Sequence, residues 1–590
     1  MPPKIKGTTM TKLTLSIICT AMVSWAVNAN PQTSDSVAPE STTQVTEKQA
    51  VTAKEFMLAA AHPDAVKAGY DVLKRGGTAV DAMVTVQTVL GLVEPQSSGI
   101  GGGGFVVYYD ATADHLTTFD GRETAPLSAT PELFLDDHGQ PLKFFDAVVG
   151  GRSVATPGTV MLMASMHERY GKEAWSELFA PAIELASNGF VVSQRMAASI
   201  ERDKSYLSRY PATKSYFMDE NGDPLKEGHL LINTAYAKTL KVIATDGQEA
   251  FYHGQIAKDI VNTVTSVKDN PGKLSLNDFA TYKVVERDVV CSPYRQFDIC
   301  GMGPPSSGAL TVSQILGMVE HFNMASLGPK SAEAWQIIGD ASRLAFADRG
   351  RYIADTDYVP MPQGLLEKSY LAQRAELIKS GQALTQVEPG KPSWDKPVEQ
   401  ADDQSIELPS TTHIVIADKY GNVLSMTSTV ENGFGSRLMS NGFILNNELT
   451  DFSFVTHQDG YPIANRVEPG KRPRSSMAPT IVMKAGKPYM AVGSPGGSQI
   501  IGYVTKTLIA HLDWQLNIQD AIDYPNMVNR FGQFDIEQGS AAETMESELK
   551  KLGFDVNKRD LNSGLHGIVF TDEYMIGGAD PRREGIVMGD

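Results

Sequence analysis

A hydroxyl at the start of a β-prone run is the first feature of this chain that could do chemistry. Ser410-Thr411-Thr412-His413 stands where a weakly structured stretch rich in Pro, Asp and Gln, residues 382–409, meets a run of strand formers. If the Thr411 hydroxyl attacks the preceding carbonyl, the peptide rearranges to an ester, and water opens the ester to leave Thr411 with a free amine. That amine is then a base within reach of its own hydroxyl. An α-amine with a pKa of about 7.7 to 8.0 is partly neutral near pH 7 to 8, and threonine with a terminal amine is a recognised nucleophile pair. Taken alone, Thr-Thr ahead of a strand is ordinary β propensity, so the chemical reading depends on what accompanies it.

Four further groups have types and spacings that suit such a nucleophile, and each also has a plain structural reading. Gly493-Ser494-Pro495-Gly496-Gly497 follows a strand and precedes a helix, so the N–H groups of Gly496 and Gly497 can converge on one oxygen; the plain reading is a strand-to-helix turn. Arg472-Pro473-Arg474-Ser475-Ser476 sets two hydroxyls before a strand, and Asn446 to Asp451 sets Glu448 and Asp451 three apart in a loop. Either is equally a solvated turn. Arg122, within Asp120-Gly121-Arg122-Glu123, is a carboxylate grip or a surface ion pair of little worth. The run Gly101–Gly104 leaves a helix and enters a strand, the reverse of a phosphate cradle, and points to tight backbone approach instead. The 11 histidines show no metal-ligand spacing and the cysteines no zinc pattern, so no metal or cofactor is implied.

These groups need rigid elements beneath them. Short β-prone runs over Thr411–Ala417, Val423–Val430, Thr480–Lys484 and Tyr489–Gly493 predict strands in the last third, with helices over Ile500–Trp514 and Ala541–Leu552. Earlier, Ala65–Leu73 and Ala79–Leu92 carry helical apolar spacing around a Gly-Gly break, helical segments recur through residues 158–265 and 309–349, and strands are expected near Phe105–Tyr109 and Val289–Cys300. Helices and strands in blocks imply an α+β protein of stacked sheet and helix layers.

At the N-terminus, Lys4, Lys6 and Lys12 precede an apolar run from Leu13 to Val27 that ends in Val27-Asn28-Ala29. This reads as a signal peptide over residues 1–29, too short and too interrupted for a membrane span of about 20 residues, and it predicts an exported protein, periplasmic or secreted. Residues 30–55 have the composition of a flexible linker, with order expected from Phe56. Cys291 and Cys300, nine residues apart, could pair in an oxidising compartment or stay free. The 590 residues carry a net charge of −17, which sets nucleic acid aside as a partner.

Read in order, Arg122, Thr411-Thr412-His413, Thr429, Asn446–Asp451, Ser475-Ser476 and Gly493–Gly497, together with Pro304-Pro305-Ser306-Ser307-Gly308 and Gly578-Ala579-Asp580-Pro581-Arg582, resemble the gamma-glutamyltransferase family over nearly the whole chain. The resemblance implies an N-terminal-nucleophile hydrolase, a four-layer αββα sandwich cut between Ser410 and Thr411 into a large subunit (residues 56–410) and a small catalytic subunit (residues 411–590) that remain together. It implies Thr411 as nucleophile, Thr429 as the group that positions it, and Gly496 and Gly497 as the oxyanion site. It implies that Arg122, Ser475 and Ser476 grip the substrate's α-carboxylate and that Glu431, Glu448 and Asp451 receive its ammonium. Glutathione and other γ-glutamyl compounds would be donors; water, amino acids or peptides would be acceptors. Glu431 and Glu448 stand where some members carry Asn and Gln, so one carboxyl of this acidic group, Glu431 by expectation, should titrate abnormally. Tyr461 is a candidate gate in the segment between Asp451 and Ser475. A cephalosporin- or glutaryl-type acylase on the same scaffold is the alternative, and an unprocessed binding protein is a third reading from a different class.

Overall fold

The computed structural model describes residues 42–403, 405, 407 and 410–590, with Met1 and Pro3; the apolar run Leu13–Val27 of the expected signal peptide lies outside the described residues. Two seven-stranded sheets dominate. In chain order their strands are β1 (Val51–Ala53), β2 (Met57–Ala60), β3 (Gly103–Asp110), β4 (His115–Gly121), β5 (Val285–Arg287), β6 (Val290–Tyr294), β7 (Phe297–Gly301), β8 (Thr411–Ala417), β9 (Val423–Thr429), β10 (Thr480–Lys484), β11 (Lys487–Gly493), β12 (His566–Phe570), β13 (Met575–Ala579) and β14 (Ile586–Gly589). One sheet runs β1-β13-β12-β11-β10-β7-β6 and the other β14-β2-β8-β9-β3-β4-β5.

The two-residue period of the strands builds the layers. Along β8, Ile414 and Ile416 join a core with helices α1 (Pro63–Lys74) and α2 (Ala79–Val93), while Val415 and Ala417 meet Ile481, Ala491 and Ile568 of the opposite sheet. On the far side, Val482, Met490 and Val492 pack on α3 (Gly308–Val319), α4 (Ala332–Tyr352) and α5 (Ile500–Leu512). Helix, sheet, sheet, helix is the four-layer sandwich that the resemblance implied. Thr411 and His413 share the face of Val415, so the candidate nucleophile projects between the sheets.

Most predicted elements stand within a few residues of their expected bounds, including the α1–α2 pair around Gly76-Gly77. Ordered structure, however, begins before Phe56. β1 pairs with β13, Thr42 donates to Asp560 at 2.6 Å, and Lys48 Nζ reaches the carbonyl of Arg583 at 2.7 Å. Three residues with one buried side chain carry no apolar period, which is why the composition of residues 42–55 reads as a linker. Cys291 and Cys300 face each other across the β6–β7 hairpin and form a disulfide. Among the described residues no helix is long and apolar enough to cross a membrane.

Candidate active site

Thr411 opens β8 directly opposite Thr429, the last residue of β9, because the two strands pair in antiparallel register from Thr411↔Thr429 to Ala417↔Val423. Their hydroxyl oxygens are 3.3 Å apart. In the uncut chain Thr429 Oγ1 donates to the Ser410 carbonyl at 2.9 Å and accepts from the Glu431 N–H at 2.9 Å. The carbonyl that an attack by Thr411 would open is therefore already hydrogen-bonded. Behind this pair, His413 Nδ1 lies 2.9 Å from Thr427 Oγ1, and burial pushes the His413 pKa well below the ordinary histidine value.

The glycine run 101–104 works by close approach, as expected. A Cβ on Gly102 would sit 2.0 Å from the Thr429 carbonyl oxygen, and one on Gly101 2.0 Å from that of Ile444. At the other side of Thr411, Gly496 has φ 140° and Gly497 φ 57°, a backbone path that L side chains rarely take. Gly497 lines the cavity that holds Thr411. Neither the Gly496 nor the Gly497 N–H has a hydrogen-bond acceptor among the described residues, so both remain available to an oxygen.

That cavity is lined by Arg122, Thr411, Thr429, Glu431, Glu448, Asp451, Ser475, Ser476 and Gly497, together with Glu407. The predicted residues thus converge, but their pairing differs from the expected one. Arg122, fully buried, ion-pairs with Glu448 and with Asp451 (2.5 Å), and also donates to the carbonyls of Pro473 (3.2 Å) and Arg474 (3.0 Å). It makes no hydrogen bond to Ser475 or Ser476. Ser476 Oγ instead donates to Glu407 (2.5 Å) and accepts from Arg349 (2.8 Å).

The acidic pole holds more negative charge than Arg122 can balance. Glu123 lies beside Glu448 and Asp451, and a Cβ on Gly103 would touch its carboxylate. Burial pushes Glu448 and Asp451 well above the usual carboxylate range despite Arg122, and burial pushes Glu123 up from 4.5 to about 7. One guanidinium facing three buried carboxyls leaves the group short of positive charge, so it retains protons. Glu431 lies at the Asn447 side of the cavity. Its carboxylate accepts from Asn447 Nδ2, and its backbone sits at φ 76°, a left-handed conformation uncommon for a non-glycine residue.

Asn446 fixes the acidic loop. Its side chain donates to the carbonyls of Gly101 (2.8 Å) and Ala155 (3.0 Å) and accepts from the N–H groups of Ala155 and Glu448, both at 3.0 Å. The Pro304–Gly308 motif does the same for the serines: Ser307 donates through both N–H and hydroxyl to the Ser475 carbonyl, each at 2.7 Å. Tyr461 is not brought to the site. It is 45% exposed on a small hairpin and lines a separate surface cleft with Trp394. Glu123, Arg349 and Glu407 were missed, because no motif marks them.

A family model described as gamma-glutamyltranspeptidase matches residues 65–590. The chain is 36% identical over 555 residues to the glutathione hydrolase proenzyme of Bacillus subtilis strain 168, covering 92% of each chain. To the protein of the same name from Escherichia coli strain K12 it is 35% identical over 551 residues, covering 90% of this chain and 91% of the relative. Among solved structures, cephalosporin acylase from Bacillus halodurans superposes with a TM-score of 0.81 at 25% identity, covering 92% of this chain and 97% of that one.

Proposed function

The chain belongs to the gamma-glutamyltranspeptidase family, and from that premise we propose that it is a proenzyme that cuts itself before Thr411 and then cleaves the γ-glutamyl amide bond of glutathione and related compounds. In the first reaction Thr411 Oγ1 attacks the Ser410 carbonyl carbon, with Thr429 donating to its oxygen. The peptide nitrogen leaves as the Thr411 amine, and water hydrolyses the ester to give a Ser410 carboxylate. In the second, the Thr411 amine takes the proton of its own hydroxyl as Oγ1 attacks the γ-carbonyl of the donor. The N–H groups of Gly496 and Gly497 receive the oxyanion. The proton passes to the leaving amine, and a γ-glutamyl ester remains on Thr411. Water or an amino-acid or peptide amine then takes the γ-glutamyl group.

The surplus of buried carboxyls around Arg122 is the observation that carries the donor assignment. Glu448 and Asp451, with Glu123 behind them, set three carboxyls against the single Arg122 guanidinium, and the α-ammonium of a γ-glutamyl group supplies a second cation. A glutaryl group has no ammonium, so this pole disfavours the acylase alternative. The carboxylate end of the donor falls to Ser475 and Ser476 with the guanidinium groups beside them, and Glu431 closes the ammonium side. Export belongs to the same reading: residues 1–29 have signal-peptide character, and the Cys291–Cys300 disulfide suits an oxidising compartment.

Mass spectrometry of the purified protein tests the cut: two fragments meeting at Ser410 and Thr411 are expected, and one intact chain for Thr411→Ala. A cut elsewhere, or a cut that survives the substitution, would overturn the assignment. Comparing a γ-glutamyl anilide with a glutaryl anilide tests the donor, and faster release from the glutaryl compound would reverse it.

A further inference from the structure

We propose that Lys48 is a positioning residue for Thr411: its ammonium fills a cage of three backbone carbonyls in the turn over residues 580–585, and the turn so fixed holds Arg583 against the Thr411 carbonyl. This rests on the reading of Thr411 as nucleophile and adds to it a residue from the N-terminal arm. Neither Lys48 nor Arg583 lines the cavity proposed for the donor.

Lys48 Nζ donates to the carbonyls of Asp580 at 2.5 Å, Arg583 at 2.7 Å and Gly585. An ammonium has three donors, and all three are used. Two positions earlier the Thr46 N–H donates to the Pro581 carbonyl at 2.9 Å, so the arm engages four of the six residues of the turn. Asp580, Arg583 and Gly585 are buried. Three carbonyl oxygens aimed at one point repel one another, and without a donor each would be a buried acceptor left unmet. A cation among them removes both costs. Burial pushes the Lys48 pKa down from 10.5 to about 8, against the pull of Asp580, Asp523 and Glu584, so the ammonium is still charged near neutral pH.

The turn is anchored at both ends. The Asp580 carboxylate accepts from Ser563 Oγ at 2.5 Å and from the Leu565 N–H at 2.9 Å, and a Cβ on Gly585 would stand 2.7 Å from the Ala60 carbonyl oxygen. Between these ends Arg583, itself buried, reaches the nucleophile: its Nη1 donates to the Thr411 carbonyl at 3.2 Å. Once the chain is cut, Thr411 is a free strand end, and such ends fray unless tied. The tie at its carbonyl fixes the plane of the first peptide and with it the directions in which the amine and hydroxyl point. Orientation of this kind is worth much, since a misplacement of about 1 Å can cost about 10²-fold in rate.

Kinetics on the processed enzyme test this. Lys48→Met keeps the length of the side chain and removes its charge. It should lower kcat for a γ-glutamyl anilide about tenfold while KM moves by less than about twofold, the pattern of a contact that orients the nucleophile and does not bind the donor. In Lys48→Ala the emptied cage should accept n-propylammonium, which restores activity saturably, whereas n-propanol restores none. Rates are divided by those of wild type at the same amine concentration, which removes the contribution of the amine as an acceptor. A merely structural Lys48 would move kcat and KM together and give no rescue. That result, or a wild-type kcat in Lys48→Met, overturns the proposal; should Lys48→Met not fold or not be cut, the appearance of the two fragments from Lys48→Ala, with and without the amine, decides alone. Wild-type protein that is not cut before Thr411 would instead remove the reading on which this one rests.

Discussion

At the scale of single residues, the proposed self-cleavage and the proposed catalysis both meet at Thr429. Its hydroxyl touches the Thr411 oxygen and donates to the Ser410 carbonyl. Thr429→Val keeps the shape and removes the donor, so appearance of the two fragments, followed on denaturing gels, should slow by about 10²-fold, the usual cost of one oxyanion donor. Unchanged processing would mean that the contact is incidental. Glu123 makes a second prediction. Its folded pKa of about 7 lies above the 4.5 of an unhindered carboxyl. Between those values the folded state binds more protons than the unfolded state, so stability falls as pH rises through that window. Glu123→Gln should flatten the decline of the melting temperature between about pH 5 and 7. A variant with the wild-type slope would take Glu123 out of the shared titration.

At the scale of elements, the site is a meeting of strand ends and loops held by backbone contacts. Gly102→Ala would drive a Cβ into the Thr429 carbonyl and part β3 from β9; we expect both reduced stability and loss of the cut, read by thermal melting and gel, and normal processing would show that the strands yield. Asn446→Ala breaks four hydrogen bonds and orphans buried partners. Urea unfolding should report a loss of about 2 to 3 kcal/mol, and a loss below about 0.5 kcal/mol would assign the loop's shape to its other contacts. The elements themselves were largely legible in the chain. Thr411–Ala417 ends in a continuous apolar run because both of its faces are packed against different layers, and α1 carries its apolar stripe plainly. The motif residues were legible too, but not their partners. Arg122, expected to grip the substrate's α-carboxylate, stands between the carboxylates of Glu448 and Asp451, two partners that its own motif does not mark. Arg349 and Glu407 meet across 58 positions, and Arg349 reaches Ser476 across 127. Burial and charge balance of that kind belong to the folded packing, and no local spacing encodes them.

At the scale of the whole molecule, the two parts joined at Ser410–Thr411 are woven into the same sheets. β2, from before the proposed cut, is hydrogen-bonded on one side to β8 and on the other to β14, both from after it. Asp590, the last residue, accepts from the N–H groups of Lys54, Glu55 and Phe56 at 2.7 to 3.1 Å. The processed fragments should therefore co-elute in size exclusion without denaturant and melt in a single calorimetric transition; two resolved transitions would mean that each part holds a core of its own. The weave also makes folding and cutting an ordered pair. While the chain is continuous, every strand finds its neighbours at the high local concentration that a shared backbone enforces, and the uncut chain serves as the template for its own assembly. Once cut, the same sheets must be rebuilt from two molecules, and their stability depends on protein concentration. The finished enzyme is durable only as long as it never comes apart: after full unfolding and dilution, the Thr411→Ala chain should regain its native far-ultraviolet spectrum where the cut protein does not.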